Sequence, residues 1–314
     1  MKSKLLVNSI NKISVIEPMF SNNFSLKKKI LSHFKKVSFN YKKKLNEKQL
    51  INKINDAEGI ILGLQPLTKK VINKVKNLKI IAKFGVGVDN IDLGECKRKG
   101  ILVKRAIGAN AISVAEVVIS NSINLIRNIN QSYITLKNGL WKKSEGSELY
   151  KKKFGIIGLG RVGKEVAKRL IPFKCKVYAY DIKTYKKFCK DNNVQNTTLE
   201  KILKTCHIIS FHTPLTKETR NLLNKRNINL LMNNSIIINT SRGSVIDLKN
   251  IMKSVKKKNI KLYLDVFPEE PFTDKKFLNR ENDIYTPHIC GTSEEAKVRI
   301  GLNNIKALKN FFKK

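Results

Sequence analysis

Four side chains in the second half of the chain have the types needed for redox chemistry at a carbon beside a carboxylate. Arg242 lies in "INTSRG", Asp265 and Glu270 in "LDVFPEEP", and His288 in "TPHICG". Oxidising a 2-hydroxy acid needs a cation for the carboxylate, a base for the hydroxyl proton and an acceptor for the hydride. Arginine offers a planar fork matched to a carboxylate. Histidine titrates near neutrality and can pass a proton either way. A carboxylate beside it orients the ring and favours its protonated form. Residue type alone leaves other readings open, since arginine also serves surface ion pairs and Glu270 also suits a loop cap. The remaining histidines read as structural: His33 falls in a helix-like segment, and His207 and His212 flank a strand.

The hydride acceptor is suggested by "FGIIGLGRVGKEVAKRL". Gly158, Gly160 and Gly163 make a G-x-G-x-x-G pattern between a buried-strand pattern and a helix pattern. Glycine permits the tight turn and lets backbone approach a pyrophosphate, whose charge then meets a helix N-terminus. Asp181 ends the next strand pattern, 18 residues beyond Gly163. A carboxylate at this distance accepts from ribose hydroxyls and repels a 2′-phosphate, which selects NAD over NADP.

These residues need a frame that brings strand ends together. Short apolar runs alternate with amphipathic stretches almost throughout, the pattern of a doubly wound parallel sheet. The first set of strands is "ISVIE", "VSFNY", "GIILGL", "KIIAKFG" and "ILVKR". The pattern restarts with "FGIIG", "KVYAYD", "HIISFH", "SIIINT" and "KLYLDVF", then "DIYTPH". Two such sets imply two α/β domains. Ligands of open α/β sheets collect at the carboxyl ends of strands, where Arg242, Asp265, Glu270 and His288 all fall. The segment "SVAEVVISNSINLIRNI" reads as a packed or interface helix. The C-terminal "EEAKVRIGLNNIKALKNFF" reads as a helix that packs back on the first domain.

The 314 residues carry a net charge of +39, most of it from lysine, with lysine triplets scattered along the chain. With few arginine forks and no single basic tail, this pattern does not favour a nucleic-acid partner. It does attract small anions in a salt-dependent way. Five cysteines without a C-x-x-C pair argue against a disulfide scaffold or a zinc site. The N-terminal segment lacks a signal-peptide core, and no run approaches the roughly 20 apolar residues that span a bilayer. A soluble cytoplasmic protein is expected.

Beyond these patterns, the chain from about "GIILGLQPLT" onward resembles the D-isomer-specific 2-hydroxyacid dehydrogenase family. The likeness is carried in order by "KFGVGVDNIDL", "GANAISVAE", "GIIGLGRVGKEVAKRL", "FHTPLTKETRNLL", "INTSRGSVID", "LDVFPEEP" and "TPHICG". It is greatest to members acting on 3-phosphoglycerate. The resemblance implies a flavodoxin-like substrate domain, residues 1–103 completed by 287–314, and a Rossmann NAD-binding domain, residues 104–286. It implies hydride transfer between NAD and C2 of a D-2-hydroxy acid, with 3-phosphoglycerate and phosphohydroxypyruvate as the favoured pair. A reductase of hydroxypyruvate or glyoxylate type and a non-enzymatic, corepressor-like NAD sensor are the alternatives.

By this resemblance Arg242 holds the substrate carboxylate, Glu270 orients the histidine and His288 is the acid and base. Gly158, Gly160, Arg161, Val162 and Gly163 wrap the pyrophosphate, and Asp181 takes the ribose. Thr213, Pro214, Thr240, Ser241, Asp265 and Gly291 lie along the cofactor. Val86, Gly87, Asn110 and Lys83 meet the substrate, and domain closure joins the halves. No metal is implied. A homodimer is expected through "SVAEVVISNSINLIRNI" and the basic segment around Trp141. There are departures: "KRAIGAN" lacks the proline common at that hinge, and Gln65 and Lys83 stand where phosphoglycerate enzymes often place arginine. Cys290 replaces a small residue. Glu270 argues against the formate dehydrogenase branch, which uses glutamine there.

Overall fold

A computed structural model describes residues 9–313, so part of the segment read for a signal peptide, residues 1–8, lies outside the described residues. The chain divides into two compact units, Met1–Asn110 with Thr292–Lys314, and Ala111–Gly291. These boundaries fall a few residues beyond 103 and 286. The helix from Ala111 belongs to the core of the second unit, and the turn through Gly291 is tied to a strand end of that unit.

The first unit is built on β1 (Ser9–Val15), β2 (Phe34–Phe39), β3 (Gly59–Leu62), β4 (Ile80–Lys83) and β5 (Leu102–Arg105). Every pairing is parallel and the order is β2-β1-β3-β4-β5. β3 and β4 are buried at every position, as strands covered on both faces must be. The C-terminal helix Glu294–Phe312 starts at Ser293, whose hydroxyl accepts from the Ala296 N–H. It does pack back on this unit: Ile300, Ile305 and Leu308 join Ile13, Val15, Phe20, Leu26 and Ile80 in one core. Gly301 permits the close approach, because a Cβ there would lie 2.4 Å from the Leu26 side chain.

The second unit contains β6 (Lys153–Ile157), β7 (Lys176–Tyr180), β8 (Val194–Asn196), β9 (Ile208–Phe211), β10 (Ile236–Asn239), β11 (Lys261–Leu264) and β12 (Ile284–Tyr285). The order is β12-β11-β10-β9-β6-β7-β8, again all parallel. The chain reverses its direction of winding between β6 and β9, the switch point at which such sheets bind ligands. β8 has no counterpart among the strands read from sequence; "VQN" is short and two of its three residues are exposed.

The helix Ala111–Arg127 buries Val114, Ala115, Val118 and Leu125 in the core of this unit, and Asn128 in a left-handed conformation ends it. The next helix, Ile129–Lys137, has no buried residue, and Trp141 beyond it is 84 % exposed. Among the described residues no helix is long and apolar enough to cross a membrane.

Leu308 is fully buried between helix and sheet. Leu308→Ala is expected to cost about 2–5 kcal/mol, the usual loss for a truncated core leucine. Native-state amide exchange should show lost protection in β1 and β4 and unchanged protection in β6 and β9.

Candidate functional site

The glycine loop joins β6 to the helix Arg161–Leu170. Gly158 adopts a φ of 97°, and a Cβ on it would lie 2.8 Å from the His212 backbone at the end of β9. A Cβ on Gly163 would lie 2.1 Å from the Gly158 carbonyl oxygen, so helix and strand approach as only glycine allows. Gly160 differs: a Cβ there meets nothing within 4 Å. It is the N-cap of the helix and supplies no side-chain cap. Arg161 follows, exposed at the first helical position, while Val162 packs inward.

Asp181 lies just past β7. Its Oδ2 accepts from the Leu159 N–H at 2.7 Å and its Oδ1 from the Lys183 N–H at 2.8 Å. A carboxylate has about four lone-pair sites, so capacity remains for hydroxyl donors. Thr213 Oγ1 is buried with no hydrogen-bond partner among the described residues. An open face at Gly160, an uncapped helix N-terminus, a carboxylate at the next strand end and an orphaned hydroxyl together fit a bound dinucleotide. Pro214, next to Thr213, accepts from Thr219 Oγ1 through its carbonyl at 2.6 Å.

His212 Nε2 is 2.9 Å from Ser210 Oγ, and its Nδ1 is 3.4 Å from Thr240 Oγ1. Part of the residue's surface stays open, yet desolvation of the imidazole lowers its pKa to about 3. The ring is therefore a neutral hydrogen-bonding group at ordinary pH.

Arg242 follows β10 in a turn organised by Asn239. The buried Asn239 amide accepts from the N–H and hydroxyl of Ser241 at 3.0 and 2.7 Å and donates to the Arg242 carbonyl at 3.0 Å. Arg242 is half-buried and its Nη1 donates to Ser241 O. Gly243 then rests on the next loop so closely that a Cβ would lie 1.9 Å from the Phe267 carbonyl carbon. This contact brings the arginine loop against the loop that carries Glu270.

Glu270 Oε1 accepts from the Phe267 N–H at 3.0 Å, and Oε2 lies 2.8 Å from His288 Nδ1. Both side chains keep solvent contact, 39 % for Glu270 and 51 % for His288. His288 itself is held in the left-handed region, φ 55°, with its N–H donating to the carbonyls of Asp265 and Thr286. Beneath it the Asp265 carboxylate, 1 % exposed, accepts from Thr286 Oγ1 and from the N–H groups of Ile289 and Cys290. Gly291 closes this unit. The Cys290 thiol is buried, and desolvation pushes its pKa up, so a reactive thiolate is disfavoured.

The first unit holds Lys83, Val86, Gly87 and Asn110. Val86, Gly87 and Asn110 are half-buried. Lys83 is 3 % exposed and its ammonium donates to the Gly63 carbonyl, with the buried Glu17 carboxylate as its electrostatic partner. A buried cation requires such partners. Gln65 is likewise buried and donates to the Lys43 carbonyl at 3.1 Å. Asn239, Tyr263 and Thr286 are supporting residues that sequence reasoning misses. Their signal is weak: polar groups at the ends of apolar strand runs.

A parallel α/β unit with a glycine loop at its switch point and a His–Glu pair beyond β11 and β12 on the same edge defines a dinucleotide-binding architecture. Comparison with known proteins agrees. Residues 119–290 match the model of the D-isomer specific 2-hydroxyacid dehydrogenase, NAD binding domain. The chain is 38 % identical over 262 residues to D-3-phosphoglycerate dehydrogenase of Methanocaldococcus jannaschii, covering 82 % of this chain and 50 % of that protein. It is 37 % identical to hydroxypyruvate reductase of Thermotoga maritima, covering 84 % and 88 %. A solved structure of D-lactate dehydrogenase from Aquifex aeolicus, complexed with NAD and lactic acid, superposes with a TM-score of 0.82 at 28 % identity and covers 96 % of each chain. The protein belongs to the D-isomer-specific 2-hydroxyacid dehydrogenase family, and its cofactor is NAD. The chain spans about half the length of the phosphoglycerate dehydrogenases it matches.

The two inner glycines make separable demands. Gly160→Ala should leave the unfolding temperature unchanged yet weaken NADH binding by at least about tenfold, or ~1.4 kcal/mol, by filling the open face. Gly163→Ala should lower the unfolding temperature as well, because its methyl meets backbone. Calorimetry and NADH fluorescence titration check both.

Proposed function

We propose that the protein is an NAD-dependent dehydrogenase of D-2-hydroxy acids. The observation that carries this reading is the 2.8 Å contact between His288 and Glu270 on the strand-end edge that also holds the glycine loop. In the direction of keto-acid reduction, protonated His288 donates to the C2 oxygen. Glu270 orients the ring and fixes which ring nitrogen faces away from it. Arg242 grips the carboxylate and polarises the carbonyl. Bound NAD supplies the hydride acceptor or donor. Gly158, Gly160 and Gly163 take its pyrophosphate, Asp181 its ribose, and Thr213 and Thr240 line its path. Val86, Gly87 and Asn110 are assigned to substrate.

The substrate in this proposal is a short, unphosphorylated 2-keto acid of the hydroxypyruvate or glyoxylate kind. Lys83 and Gln65, the positions that would supply a phosphate-binding cation, are both engaged inside the first unit. The phosphoglycerate reading draws its support from the relatives of that name. The proposal also includes a homodimer, supported by the exposed apolar run Ile129, Tyr133, Leu136, Leu140 and Trp141.

His288→Ala should cut turnover roughly 10²–10⁴-fold with NADH binding retained, as stopped-flow and fluorescence titration would show. Glu270→Gln should lower kcat by about tenfold or more with NADH binding retained, because the amide replaces the charge-assisted hydrogen bond that holds the ring. A fully active His288→Ala would defeat the mechanism.

A substrate panel tests the second half of the reading. Hydroxypyruvate or glyoxylate should exceed phosphohydroxypyruvate in kcat/KM. A preference for the phosphorylated acid of more than about tenfold would restore the phosphoglycerate assignment.

A further inference from the structure

Behind the His288 turn lies a chain of four buried or half-buried groups that the mechanism above does not use. Tyr263, fully buried on β11, places its hydroxyl 2.7 Å from Thr286 Oγ1 and 3.1 Å from Cys290 Sγ. Thr286 in turn donates to Asp265 Oδ1 at 2.6 Å. The proton positions follow from donor capacity. Each hydroxyl has one proton. That of Thr286 is committed to Asp265, so Tyr263 must donate to Thr286. The Tyr263 proton is then also committed, so the Cys290 thiol must donate to the Tyr263 oxygen. Only one orientation satisfies every member: thiol to phenol to hydroxyl to carboxylate.

The chain closes on the residues that flank His288. Asp265 Oδ1 also accepts from Ile289 N at 2.8 Å, and Oδ2 from Cys290 N at 3.0 Å. Residues 286, 289 and 290 are thus tied to one buried carboxylate, and His288 bulges between them in a left-handed conformation. Glu270 meets the ring of this turn, and Asp265 its backbone.

We propose that Tyr263 and Thr286 are positioning residues for His288. They fix the Asp265 carboxylate, and through it the turn that points the imidazole at Glu270. The proposal rests on the dehydrogenase reading for its kinetic consequence, though not for its structural one.

The test uses Tyr263→Phe and Thr286→Val, with Thr286→Ser as the conservative control. In the NADH-free protein, ring-nitrogen NMR shifts at alkaline pH report the tautomer of His288, assigned by its loss in His288→Gln. Glu270 selects the Nδ1–H form in the wild type, whereas a free imidazole favours Nε2–H. Tyr263→Phe and Thr286→Val should shift His288 toward Nε2–H, and Thr286→Ser should restore the wild-type ratio. Turnover should follow: kcat falls about tenfold or more in the first two while KM for NADH holds, since a small misplacement of a catalytic group suffices. Wild-type tautomer ratio and wild-type kcat in both variants, even with a lowered unfolding temperature, would overturn the proposal. If the wild type reduces none of the 2-keto acids, the dehydrogenase reading fails, and the tautomer measurement alone decides the role of Tyr263 and Thr286.

Discussion

A parallel strand must be followed by a crossover that returns the chain to the same end of the sheet. All strands of the second unit therefore finish on one edge, whatever their order. The glycine loop after β6, Asp181 after β7, His212 and Thr213 after β9, Arg242 after β10, Glu270 after β11 and His288 after β12 are gathered by this constraint alone. Gly158 and His288 lie 130 residues apart in sequence, yet they need no special device to share an edge.

What the edge must then supply is a partner for every polar group it buries. Asn239 shapes the arginine turn by using both ends of its amide. Asp265 accepts from three donors of the histidine turn. The same rule applies to Lys83 in the first unit, whose buried ammonium donates to the Gly63 carbonyl. A lysine near a strand end reads as a ligand-binding cation from sequence alone, and its hydrogen bond to the Gly63 carbonyl is visible only in the fold.

The frame is legible in the sequence because its signals are local. Each apolar run of the two sets forms a strand, and the long C-terminal amphipathic run forms the helix that completes the first core. β8 escapes because an edge strand of three residues has no periodicity to read. The glycine loop is legible at Gly158 and Gly163, where each glycine answers a steric demand that the spacing already expresses. The supporting polar groups are not. Tyr263 looks like any large strand residue, and only the fold reveals that its hydroxyl meets Thr286 and Cys290. The domain limits shift by a few residues because hydrogen bonds to Asp265, rather than a change in composition, hold the "TPHICG" turn to the second unit.

His288 occupies a backbone conformation in which side chains with a Cβ are unfavourable. Glycine would rest there with less strain, and asparagine tolerates it better than most residues. Selection for stability alone would therefore drive this position away from an imidazole. A library screened only for thermal resistance should accumulate those replacements, and its hardiest members would be the ones that had discarded the proton carrier.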